Sequence, residues 1–308
     1  MISRRNIRVK VMQTIYTSLT LDEEQKKDKA QKRLHEHFEQ SKILLVYLLY
    51  FLAEVVRYAA TDARQKAAKH LPTAEDLNTN TKIAGNLILV KLQQDEALAK
   101  QYKDNKPELI IDKELVKKIY GQLKNTDTYK NYIATDSRQP KEELGIITFI
   151  LNDLILDNEL FISHIEDNFS NWDDDADMLI QLMMAYLHKP GSIQFDHLLT
   201  KDKEEFANTL LQTVLAKEKT LQEQIIPKLK NWDPDRIAVL DMIMMEMGLA
   251  EFLFFETIPP KVTINEYIDI AKDYSTQQSG QFVNGILDNI HKELVQEGKM
   301  KKIAYKKN

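Results

Sequence analysis

Phe282, Ile286, Ile290 and Leu294 recur at every fourth position beside Val283 and Leu287, the spacing of one apolar helix face. Ile7, Val11, Ile15 and Leu19 repeat that spacing at the other end of the chain. Faces of this kind need other helices to bury them. With only 8 Gly and 8 Pro in 308 residues, and with Leu, Lys, Glu, Gln, Ala and Met dominant, the sequence predicts an all-α protein. Helices are expected at about 3–20, 25–70, 110–125, 141–168, 174–188, 202–230, 235–255, 264–275 and 279–297. Breaks are expected at Leu71-Pro72-Thr73, Asn105-Lys106-Pro107, Ser137 to Pro140, Lys189-Pro190-Gly191 and Pro259-Pro260. Residues 72–108 carry no clear pattern.

Several classes are disfavoured. There are no cysteines, hence no disulfide, thiolate nucleophile or Cys-ligated zinc. The longest apolar run, Ile43 to Ala53, is about half of the ~20 residues a membrane span needs, and Glu54 and Arg57 follow it. Polar residues interleave the first apolar stripe, so no signal peptide is expected and the cytoplasm is the expected compartment. Charge is uneven along the chain. Arg4, Arg5, Arg8 and Lys10 stand without an acid in residues 1–20, as do Lys299, Lys301, Lys302, Lys306 and Lys307 in 299–308. Removing those nine charges from the net −5 leaves the body at −14. Two basic ends on an acidic body point to a localised polyanion contact.

An internal repeat runs without gaps at an offset of sixty residues, placing Ile150–Met184 on Leu210–Met244. Asn171-Trp172-Asp173 falls on Asn231-Trp232-Asp233, Ile165 on Ile225, and Leu179-Ile180 on Val239-Leu240. Each copy reads as a helical hairpin, with Asp173 or Asp233 as N-cap and Pro234 at the first helical position of the second copy. Both tryptophans read as packing residues at helix corners.

Three later joints are distinctive. Trp232-Asp233-Pro234-Asp235-Arg236 opens one helix. Thr263-Ile264-Asn265-Glu266 has the form of a capping box, with Val262 and Tyr267 as its staple. Phe282-Val283-Asn284-Gly285 interrupts a helix with two weak helix formers, and glycine there costs up to ~1 kcal/mol relative to alanine, so a close helix or ligand approach is expected. In this order the joints resemble the carboxyl-terminal half of the NusB family of transcription antitermination factors. Arg4-Arg5-Asn6-Ile7-Arg8-Val9-Lys10-Val11-Met12-Gln13-Thr14-Ile15-Tyr16 is similar to that family's opening helix. The resemblance covers about 3–20 and 200–295. It implies a NusB-like helical bundle formed by 1–20 and 200–296, extended by a helical insertion over 21–199 and followed by a basic tail at 297–308. Glu246 stands where a positive residue is expected in the family, and Gln281 where lysine is common.

Arg4 and Arg8 lie one turn apart beside the free N–H groups of a helix start, an arrangement suited to phosphate. The resemblance implies that this helix binds single-stranded boxA-type RNA, with Arg4, Arg5, Arg8, Lys10, Gln13 and Tyr16 as contacts, and with Phe282 and Asn284 as the nearest neighbouring site. It also implies NusE, a small-subunit ribosomal protein, as partner, and an indirect link to the RNA polymerase elongation complex that promotes transcription of ribosomal RNA operons. The alternative is a helical protein-binding scaffold without specific RNA binding. No enzyme activity, cofactor, metal or membrane partner is expected. The sequence has no P-loop, Gly-x-Gly-x-x-Gly or His-Glu-x-x-His. His35 and His37 fall on opposing sides of a helix, and Asp173, Asp174, Asp175 and Asp177 read as acid in a first helical turn. An RNA methyltransferase with a NusB-like accessory domain would need a Gly-rich cofactor loop and a catalytic cysteine, and the sequence has neither.

Overall fold

The structure, a computed structural model, describes residues 2–19, 23–229 and 236–303. Its helices are α1 (Arg4–Ser18), α2 (Glu23–Ala67), α3 (Ala74–Leu77), α4 (Leu87–Gln94), α5 (Glu96–Asn105), α6 (Lys113–Asn125), α7 (Asp127–Ile133), α8 (Pro140–Phe149), α9 (Glu159–Asn168), α10 (Trp172–His188), α11 (Lys201–Ile225), α12 (Val239–Phe254), α13 (Pro260–Tyr274) and α14 (Gln277–Gln296). No strand occurs among the described residues. The all-α expectation holds. Packing divides the chain into two compact units, one of Glu39–Leu198 and one of Ile2–Phe38 with Leu199–Asn308.

The Glu39–Leu198 unit is centred on α2. Leu44, Leu45, Leu49, Phe51, Val55 and Val56 are fully buried, so the helix is apolar around its whole circumference here. The segment is long and apolar enough to cross a membrane, but 67% of its most apolar window is buried inside the protein, which marks a core helix. Phe161 of α9 packs on Phe51 at a ring separation of 4.7 Å. The stretch 72–108 holds α3 to α5, short helices set by caps rather than by periodicity. Asn86 accepts from the N–H of Ile88 and Leu89, and Asp95 from those of Ala97 and Leu98. Helix α7, absent from the sequence expectation, is likewise capped by Thr126.

In the discontinuous unit α12 is the central element, packed against α1, α11, α13 and α14. A Cβ on Gly248 would lie 2.8 Å from Leu287 Cδ2, so the glycine is what lets α12 and α14 approach this closely. Ser3 caps α1, its hydroxyl accepting from the N–H of Asn6.

Four expectations need correction. Helix α13 begins at Pro260, not at Thr263, because proline is well suited to the first helical position and starts the helix three residues earlier. Thr263 is therefore inside the helix and donates to Glu251, Tyr267 is buried, and Val262 is 43% exposed, so neither capping box nor staple forms there. The box of this region is Thr276 with Ser279, at the start of α14. Asp173 is not an N-cap: α10 begins at Trp172, which is buried at the corner as expected. The two halves of the repeat share residues but not helix boundaries. A π-helical turn over Ile150–Ile155 ends at a break before α9, capped by Asn158. The matching positions Ala216, Lys217 and Glu218 are good helix formers, and α11 runs through them unbroken. The expected joint at Trp232, Asp233 and Pro234 lies outside the described residues, as do Lys306 and Lys307.

Candidate nucleic-acid interface

Helix α1 packs on α11 and α12 through Ile7, Val11 and Ile15, all at most 2% exposed. The side chains grouped on it by sequence separate into two kinds. Arg4 is exposed, with its guanidinium 5.5 Å from the centre of the Phe206 ring. Arg5 is 40% exposed and reaches α13, where it pairs with Asp269 at 3.3 Å and Asp273 at 2.7 Å. Pairs this open to solvent contribute at most ~1 kcal/mol each, so a phosphate can exchange for them. Gln13 is half-buried, and Tyr16 presents half of its surface to solvent.

Arg8 lies over the same Phe206 ring as Arg4 but one turn deeper, and it and Lys10 are each only 2% exposed. This corrects the pairing of Arg8 with Arg4 as a phosphate clamp. The Arg8 guanidinium is enclosed against Glu251 of α12, with Nε 2.8 Å from Oε1 and one terminal nitrogen 3.0 Å from Oε2. Glu266 of α13 lies 3.5 Å from its other end. The hydroxyls of Thr263 and Tyr267 donate to the same Glu251 carboxylate at 2.8 and 2.9 Å. Burial opposes the Arg8 charge, but the adjacent Glu251 carboxylate outweighs it and holds the guanidinium pKa above its ordinary value. Burial, with Glu251 adding to it, pushes the Tyr267 hydroxyl far up. The network joins α1, α12 and α13, and its arginine is a structural partner of Glu251 with no surface to offer a phosphate. The four basic positions of α1 thus leave Arg4 and Arg5 at the surface.

Phe282 is half-buried and Asn284 exposed on α14, which packs on α12 and α13. Gln281 is exposed beside them. In the tail, Lys302 donates to the carbonyls of Glu251 and Phe255 at 2.8 and 2.7 Å, closing the C-terminal end of α12, where a cation is favoured. Lys299 pairs with Glu297. These two lysines are engaged by the protein itself.

Glu246, a departure from the family pattern, is 3% exposed and accepts from the Gln222 amide at 2.8 Å. It is a core residue, so its charge does not alter the surface of α12. Burial pushes its carboxyl up to about 7; the Gln222 hydrogen bond lowers it and Glu218 adds to the rise. A carboxyl whose folded pKa lies above its unfolded value takes up a proton on folding, so its contribution to stability is greatest at low pH. That contribution falls as pH rises from about 4.5 to about 7 and is then constant. Glu246→Gln is expected to match the wild type near the lower end of this window. Above its upper end the variant should be more stable, by on the order of 3 kcal/mol at most. Urea unfolding at both ends of the window measures the difference.

Sequence reasoning passed over Glu251. The only signal available was that Glu251, with Glu246, is one of two acids in the otherwise apolar run from Met242 to Phe254, and such an acid fits an exposed helix face as well as a buried one.

Comparison of the sequence with known proteins relates the chain to a family. The model of the NusB family matches residues 167–292, a range that leaves α1 outside it. A Transcription antitermination protein NusB of Methylacidiphilum infernorum is 44% identical over 99 residues, covering 32% of this chain and 68% of the relative. Proteins of the same name from Chloroherpeton thalassium and Salinibacter ruber are 36% and 41% identical over 112 and 98 residues. The matched parts are 36% and 32% of this chain, and 53% and 61% of those relatives. No solved structure gives a match.

Proposed function

Because the chain belongs to the NusB family, we propose that it is a transcription antitermination factor that binds single-stranded boxA-type RNA together with NusE. In this reading it promotes transcription of ribosomal RNA operons in the cytoplasm, acts on the RNA polymerase elongation complex only through those partners, and catalyses nothing. The observation that carries the RNA contact is the start of α1. There Arg4 is exposed and Arg5 is held by exchangeable surface pairs, beside the free N–H groups of a helix N-terminus. Tyr16 on the same helix, and Phe282 and Asn284 on α14, supply ring and amide groups for unstacked bases. Gln13 is a lesser contact, and Arg8 and Lys10 serve from within the bundle.

The test is titration of boxA-type RNA, with and without NusE, across a range of salt. Changing Arg4 and Arg5 together to alanine is expected to weaken binding and to flatten the slope of log affinity against log salt by about 0.7 for each phosphate no longer neutralised. Folded protein that shows no salt-sensitive RNA binding overturns the reading. The pairing of Arg5 with two aspartates favours a second reading, a protein-binding scaffold. Folded protein that binds NusE but no RNA would support that one.

A further inference from the structure

Helix α13 turns a row of three carboxylates toward the basic start of α1. Glu266, Asp269 and Asp273 follow one another at helical spacing, three and four residues apart. Glu266 lies 3.5 Å from Arg8, whereas Asp269 and Asp273 both pair with Arg5, at 3.3 and 2.7 Å. Side-chain exposure rises along the row from 29% to 48% to 57%, so its inner end is closed into the bundle and its outer end is open to water. The first turn of α1 contains no acid, so nothing local balances its arginines against the positive end of the helix dipole. The counter-charge comes instead from 264 and 268 positions away. Arg5 directs its two terminal nitrogens to different aspartates, and the fork that would grip a phosphate with two hydrogen bonds is thereby occupied.

These outer pairs are not what holds α1 in place. Ile7, Val11 and Ile15 are buried against the bundle, and Arg8 is locked onto Glu251. A solvent-exposed pair, by contrast, is worth at most about fivefold in an equilibrium. We propose that Asp269 and Asp273 are an autoinhibitory clasp, which holds Arg5 in the place of an RNA phosphate and which RNA must open in order to bind. The inference rests on the RNA reading above and adds to it a control of the same site. A polyanion that meets only this end of α1 gains little, because it exchanges one anion for another and leaves two carboxylates close by. An RNA that makes further contacts offsets that loss, so the clasp favours the specific ligand over the unspecific one.

The experiment titrates boxA-type RNA into the full chain with NusE. Asp273→Asn is the cleaner variant, because Asp269→Asn would also release Lys272, whose ammonium lies 3.7 Å from Asp269. The asparagine keeps an oxygen that can accept from Arg5 and loses only the charge. Asp273→Asn is expected to unfold with the wild type and to bind the RNA about threefold more tightly, and Asp273→Ala to show the same gain. In an Arg5→Ala background the gain is expected to vanish, since no clasped cation is left to release. Unchanged or weaker RNA binding by both Asp273 variants overturns the inference. So does an equal gain with Arg5→Ala, which would trace the effect to the general field of the protein. Loss of NusE binding in the absence of RNA, with no gain in RNA affinity, overturns it in favour of a protein contact. In these three cases RNA binding itself stands. Absence of any salt-sensitive RNA binding by the folded wild type removes the RNA reading and this inference together.

Discussion

Glu251→Ala is expected to destabilise the discontinuous unit by about 3 kcal/mol, because it leaves the buried Arg8 guanidinium with only Glu266, at 3.5 Å, as counter-charge. The carboxylate is fully buried and accepts from Arg8, Thr263 and Tyr267, so the substitution also strands two buried hydroxyls. Chemical unfolding measures the loss. Replacing both members of the pair with apolar residues, Arg8→Met with Glu251→Leu, is expected to cost clearly less than Glu251→Ala alone, since no charge is then left buried. Equal losses would mean that packing, not charge, holds α1 to α12 and α13. The Arg8→Met, Glu251→Leu protein is also expected to keep the salt slope of RNA binding, because the phosphate contacts assigned to α1 come from Arg4 and Arg5.

Glu143→Ala is expected to have a comparable effect in the Glu39–Leu198 unit, about 3 kcal/mol or more. Glu143 is fully buried, and its carboxylate accepts from the Leu87 N–H at 2.6 Å, the Tyr132 hydroxyl at 2.8 Å and Arg138 at 3.3 Å. Its backbone carbonyl accepts from Asn86, the residue that caps α4. Removing the side chain strands an N–H and a hydroxyl in the interior and loosens α4, α7 and α8 together. Glu143→Gln keeps the shape and can still accept, so it should lose less. Hydrogen exchange should show reduced protection at the Leu87 amide first, and retained protection there would refute the role assigned to Glu143.

Much of the helix layout is legible in the amino-acid order alone. The apolar stripes of α1 and α14 and the scarcity of glycine and proline specify helices through contacts one turn apart, and their ends fall within a few residues of expectation. Short helices are harder. Helices α4, α5 and α7 have too few turns for a period to emerge, though Asn86, Asp95 and Thr126 are readable as N-caps. The Thr263-Glu266 pattern misleads because a capping box is a four-residue signal that also occurs inside helices, and Pro260 has already started this one. For the candidate site, the sequence marks the basic start of α1 but cannot divide its cations. One turn of helix separates Arg4 from Arg8, and that turn carries Arg8 from solvent into the core.

What the sequence by itself determined was therefore local: an all-helical chain, where its main helices run, and the family to which its joints are similar. Tertiary structure decided which charges are buried and which are available. Arg8 meets Glu251 across 243 positions, and Glu143 meets the Leu87 amide across 56. Helical period and capping act between residues a turn apart and are written in neighbouring letters. The fate of a charge depends on what is brought against it from distant parts of the chain, and only packing settles that.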